Sequence, residues 1–113
     1  MALFGKKDGV DARQAAELAE RGEAVILDVR EHGEWTAGHI PGATHIRLGE
    51  LGERHRELPQ GRQIIAVCRS GNRSALATES LKRAGFEVSN LDGGMKGWRK
   101  AGLPLEPRDG RVA

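Results

Sequence analysis

The sequence predicts a doubly wound α/β domain, a parallel sheet with helices on both faces, and three observations point there. Runs rich in β-branched residues alternate with segments of helical period. Those runs are continuously apolar, as in Ala24-Val25-Ile26-Leu27 and Ile64-Ile65-Ala66-Val67, which suits strands covered on both sides. The chain has 113 residues, enough for one core and too few for two.

In chain order, Asp11 can accept from first-turn amides while Gln14 reaches back, a capping box that opens a helix with Ala15, Leu18 and Ala19 on one face. Gly22 is placed to end it. A strand over Ala24 to Arg30 follows, and Ala43 to Ile46 forms a shorter one. Leu48 to Leu58 has helical period. Ile64 to Val67 is the next buried strand, Arg73 to Ala84 a helix stopped by Gly85, and Phe86 to Leu91 a weaker strand. Met95 to Ala101, stopped by Gly102, closes the series. The domain therefore spans residues 10–106. Segments 1–9 and 107–113 lack apolar period, are rich in Gly and charge, and are expected to be flexible termini.

Eighteen basic and sixteen acidic residues leave a net charge of only +2, with the signs interspersed. Nucleic-acid binding needs a clustered basic stripe, so no nucleic-acid partner is expected. Lys6-Lys7 and Arg99-Lys100 read as solvated surface. No stretch approaches the ~20 apolar residues of a membrane span and no leader-like apolar segment opens the chain, so the expected location is the cytoplasm, with no membrane partner. The single cysteine, Cys68, cannot form an internal disulfide, and His32, His39, His45 and His55 are spaced neither as metal ligands nor as a base beside it.

Cys68 is the candidate nucleophile. It follows a buried strand and precedes a helix, at the sheet edge where open parallel sheets bind ligands. In Cys68-Arg69-Ser70-Gly71-Asn72-Arg73 the residue types are those of a tight turn whose N–H groups converge, as in an anion-binding nest. The helix dipole, the amides and the two arginines would favour a thiolate. A dipole effect of about 0.3–2 kcal/mol is worth up to roughly one and a half pH units. The same donors would hold an anionic substrate, so Arg69, Ser70, Gly71, Asn72 and Arg73 are candidate substrate-binding residues. Asp28 and Arg30, at the end of their strand, are candidates for supporting the site; the competing assignment is an internal ion pair, with Arg30 and Glu34 as one possible pair.

Leu27-Asp28-Val29-Arg30 with Glu34-Trp35, then Gly38-His39-Ile40-Pro41-Gly42-Ala43, the Cys68 loop with Ser74, and Leu91-Asp92-Gly93-Gly94-Met95-Lys96-Gly97-Trp98 together resemble the single-domain rhodanese (thiosulfate sulfurtransferase) family over about Val10 to Pro104. The resemblance implies a five-stranded parallel sheet whose fifth strand is a short N-terminal one that the sequence barely shows. It implies an enzyme, needing no metal or organic cofactor, in which the Cys68 thiolate takes the outer sulfur of thiosulfate or a related small anionic donor, and the persulfide passes it to a thiophilic acceptor. A non-turnover persulfide carrier, docking on a sulfur-relay protein partner, uses the same loop. A cysteine phosphatase or arsenate reductase is the remaining alternative, but phosphatases place five residues between the cysteine and the arginine, and here there are four. Gly93-Gly94-Met95-Lys96-Gly97 lacks dinucleotide-binding spacing and is assigned to a turn near the active loop. Trp35 and Trp98 are expected in the core or a pocket wall, and His39 is expected to stabilise its turn.

Overall fold

A computed structural model describes residues 9–113. Five strands form one parallel sheet: β1 (Gly9–Val10), β2 (Ala24–Asp28), β3 (Thr44–His45), β4 (Gln63–Val67) and β5 (Val88–Leu91), in the spatial order β1-β5-β4-β2-β3. The five α-helices are α1 (Ala12–Glu20), α2 (His32–Ala37), α3 (Leu51–Arg54), α4 (Asn72–Arg83) and α5 (Gly94–Lys100). The parallel α/β architecture is the one expected from the strand runs.

Burial on both faces explains those runs. Leu27, Val29, Ile64 and Ala66 point to one side and join Ile46, Leu51, Leu58, Ala77, Leu81 and Val88. Ile26, Ile65 and Val67 point to the other, against Ala12, Ala15, Leu91, Met95 and Trp98. Successive residues of β2 and β4 thus serve opposite cores, so neither strand can spare a polar position along its middle.

Local chemistry sets the helix ends. Asp11 Oδ1 accepts from Gln14 N at 2.8 Å and Gln14 Oε1 accepts from Asp11 N at 2.9 Å, the reciprocal cap read from the sequence. The Leu48–Leu58 segment breaks into a 3-10 turn (Leu48–Glu50), α3 and a second 3-10 turn (His55–Glu57). Gly49 and Gly52 lie within it, and two glycines in eleven residues weaken a regular helix. Helix α2 is not apparent in the sequence pattern. It has no buried residue to give a period, and Glu31 N–H donates to Glu34 Oε1 at 2.9 Å to start it. Its Trp35 ring lies stacked between His39, with centroids 3.7 Å apart, and His45, at 4.7 Å. His39 Nδ1 also meets Trp35 O at 2.8 Å, so His39 does hold its turn. Trp98 is in the core, its Nε1–H donating to Pro104 O at 2.8 Å.

At the chain ends, Gly9 belongs to β1, one residue before the expected domain start, and residues 1–8 lie outside the described residues. The 107–113 segment carries no helix or strand, yet Arg111 N–H donates to Ala37 O at 2.9 Å and Val112 packs against the second core.

Candidate active site

The switch point of the sheet fixes where the loop stands. From β2 the chain first goes outward to β3, then crosses back to β4 and β5 on the other side, leaving a crevice at the carboxyl ends of β2 and β4. Cys68 is the first residue after β4, and α4 begins at Asn72, so the loop between them is short and its amides point inward. Gly71 makes the turn with φ +116°, a left-handed value at which a side chain would be strained.

Cys68 is 1% exposed, and its sulfur accepts from Gly71 N at 3.1 Å, Ser74 N at 3.4 Å and Ser74 Oγ at 3.4 Å. Burial pushes the thiol up, but the Ser74 hydroxyl and the amides of Ser74, Gly71 and Ser70 more than offset it, so the thiol titrates below its ordinary 9.0. Ser74 has one hydroxyl proton and a second acceptor, Asn90 Oδ1, nearer than the sulfur. The amides therefore carry the stabilisation of the thiolate at all times, and the hydroxyl adds to it when its proton turns from Asn90 to sulfur. Asn90 Nδ2 donates to Gly71 O at 3.1 Å, which ties the loop to β5.

The loop's floor is α5. Met95 N donates to Cys68 O at 2.8 Å and Lys96 N donates to Arg69 O at 3.1 Å. Gly94 is required for this approach, since a Cβ there would lie 2.5 Å from Cys68 O. The glycine-rich turn thus abuts the active loop, as its sequence suggested.

The two loop arginines differ. Arg73 is held by Glu34 through two 2.8 Å bonds, Nη1 to Oε1 and Nη2 to Oε2. These bonds hold the Glu34 carboxyl at about 2, against an ordinary 4.5, in spite of the opposing effect of burial. Arg69 is exposed, and its Nε donates to the backbone oxygen of Ala113 at 2.9 Å.

A match to the family described as "Rhodanese-like domain" covers residues 11–101. The chain belongs to the rhodanese-like family. Its relatives include the HTH-type transcriptional regulator Rv0324 of Mycobacterium tuberculosis, 46% identical over 107 residues that cover 92% of this chain and 47% of that protein. The chain thus spans about half the length of that relative. They also include thiosulfate sulfurtransferase GlpE of Pseudomonas putida, 34% identical over 91% of this chain and 94% of that one. Among solved structures, a rhodanese-related protein of Thermoplasma volcanium superimposes with a TM-score of 0.81 and 31% identity, covering 86% of this chain and 95% of that one.

In this rhodanese-like chain, Asp28 and Arg30 pair with each other rather than with the loop. Both are fully buried, Arg30 Nη2 donating to Asp28 Oδ2 at 2.7 Å and to Gly38 O at 2.8 Å. Arg30 Nη1 is buried without a partner among the described residues. The ion-pair assignment therefore holds, with Asp28 in place of Glu34 as the partner. Three contributors were not among the candidate site residues: Ser74, which the sequence showed only as part of the loop motif, Glu34, which it suggested only as a partner of Arg30, and Asn90. Asn90 carried a signal, a polar residue beside Ser89 in an otherwise apolar strand. For Glu34 the sequence pointed to nearby Arg30, because its actual partner, Arg73, lies 39 residues away. Among the described residues no cluster of His, Cys, Asp or Glu could hold a metal ion, and no helix is long and apolar enough to cross a membrane.

Proposed function

We propose that this chain moves sulfane sulfur from thiosulfate, or a related small anionic donor, to a thiophilic acceptor through a persulfide on Cys68. The observation that carries the proposal is one sulfur, lowered in pKa, at the convergence of the Gly71 loop amide with the amide and hydroxyl of Ser74 in the first turn of α4. In the first step the Cys68 thiolate attacks the outer sulfur of thiosulfate. The new Sγ–S bond forms as the S–S bond of thiosulfate breaks, and sulfite leaves with the electron pair. In the second step an acceptor thiolate or cyanide attacks the outer sulfur and the Cys68 thiolate departs.

The amides that stabilise the thiolate also suit the persulfide anion, whose outer sulfur lies about 2.05 Å further along the loop axis. Ser70, Gly71 and Ser74 contribute those donors, while Asn72 and Arg73 form the first turn of α4 behind them. Arg73, tied to Glu34, acts as a fixed positive charge near the sulfur rather than a mobile hook for the donor. Asp28 and Arg30 support the site by bracing the end of β2 against Gly38.

The test is intact-mass analysis after exposure to thiosulfate, followed by turnover to thiocyanate with cyanide. A gain of one sulfur atom, and turnover lost in Cys68→Ser, are expected. No mass gain from thiosulfate would defeat the proposed donor step. Mass gain only from a desulfurase, without turnover, would turn the assignment to a carrier serving a sulfur-relay partner.

A further inference from the structure

Beside the Cys68 loop lies a cleft of about 420 Å³ lined by Arg69, Lys96, Arg99, Lys100 and Val112. Four of its five walls are cationic and none is acidic. Elsewhere the arginines are mostly partnered: Arg21, Arg30, Arg47, Arg54, Arg73 and Arg83 all pair with carboxylates. The side chains of Lys96, Arg99 and Lys100 pair with no acid among the described residues. Asp11 and Asp92 line a separate cavity, which shares Lys100 with this cleft. Like charges held in one concavity focus a positive field that attracts a polyanion.

The cleft is fixed with respect to the sulfur. Arg69 follows Cys68 directly, and the amides of Met95 and Lys96 bond the carbonyls of Cys68 and Arg69. Arg99 and Lys100 follow about one helical turn later, ~5 Å further along α5. The cations are therefore spread away from the loop, an arrangement that suits a ligand whose charges stand several bonds from its sulfur.

We infer that this cleft binds the anionic arm of a low-molecular-weight thiol co-substrate with at least two carboxylate or phosphate charges, its sulfur directed to Cys68. The inference rests on the sulfur-transfer function proposed above. The thiol loses its proton to solvent, its thiolate attacks the outer sulfur of the Cys68 persulfide, and the Cys68–S bond breaks to give the small-molecule persulfide and the Cys68 thiolate. Lys96, Arg99 and Lys100 act on affinity for the arm and not on the sulfur itself.

The experiment compares glutathione and coenzyme A with uncharged 2-mercaptoethanol as acceptors from thiosulfate, in wild type and in Lys96→Gln/Arg99→Gln/Lys100→Gln. Expected is a KM about tenfold higher in the variant for whichever anionic thiol fits, carboxylate or phosphate, with 2-mercaptoethanol unchanged within about twofold. Added salt should reproduce the loss in wild type. An unchanged KM for both anionic thiols, or an equal loss with 2-mercaptoethanol, overturns the inference. Calorimetric binding of unreactive S-methylglutathione and of coenzyme A to Cys68→Ser separates the two proposals. Failure of all turnover with charge-dependent binding intact sinks the sulfur-transfer function alone, and absence of binding of either ligand sinks the cleft.

Discussion

Replacing Glu34 by glutamine removes the carboxylate that fixes Arg73 beside the Cys68 loop while keeping the size of the side chain. The two 2.8 Å bonds from Arg73 hold the Glu34 carboxyl at about 2 instead of 4.5. At ~1.36 kcal/mol per pH unit this corresponds to about 3 kcal/mol for a pair shielded from water. The Arg73 and Glu34 side chains are 35% and 20% exposed, so solvent screening brings the expected loss to about 1–2 kcal/mol. A carboxylate depressed by folding adds stability that is complete above the unfolded-state value and is lost as pH falls through the folded one. The difference in urea unfolding free energy between wild type and Glu34→Gln should thus be full at pH 7 and less than about half as large at pH 3. A difference that stays constant between those pH values, or none at pH 7, refutes the pair as the source of the stabilisation.

Three further outcomes are expected. In Ser74→Ala the inflection of Cys68 alkylation by iodoacetamide should rise, because a hydroxyl that favours the thiolate is gone, even though Asn90 competes for its proton; a fall would mean that the hydroxyl opposes the thiolate. Gly94→Ala places a Cβ 2.5 Å from Cys68 O at a φ of +57° and should cost about 2–3 kcal/mol. Thermal melting and the rate of sulfur gain from thiosulfate would both register it, and a variant equal to wild type in both would show that α5 need not touch the loop. Asp28→Ala leaves Arg30 as a buried unpaired charge and should cost about 3–5 kcal/mol in urea unfolding, whereas a loss below about 1 kcal/mol would show that Gly38 O suffices for the guanidinium.

Much of the scaffold is written locally. The Asp11/Gln14 cap, the two buried strands ending at Asp28 and Val67, and the helix after the loop follow from propensity, burial and capping over a few neighbouring residues. Where these signals weaken, the pattern misleads. Helix α2 buries none of its residues and so shows no period, while Leu48 to Leu58 has the period but also two glycines, and the tertiary packing keeps only short turns.

The sequence by itself determined the α/β class, the position of Cys68 between strand and helix, and the residue types of its loop, because each depends on contacts within a few residues. Only the tertiary structure decided the partners. Asp28 rather than Glu34 takes Arg30, Glu34 takes Arg73, and Asn90 shares Ser74 with the sulfur. It also turned Arg99-Lys100, which reads as ordinary solvated surface in the chain, into a wall of a cationic cleft with Arg69 and Lys96. Glu34 and Arg73 lie 39 residues apart and Ser74 and Asn90 sixteen, and even for Arg30, with Asp28 and Glu34 both close by in the chain, charge alone does not say which opposite charge the fold will bring within reach.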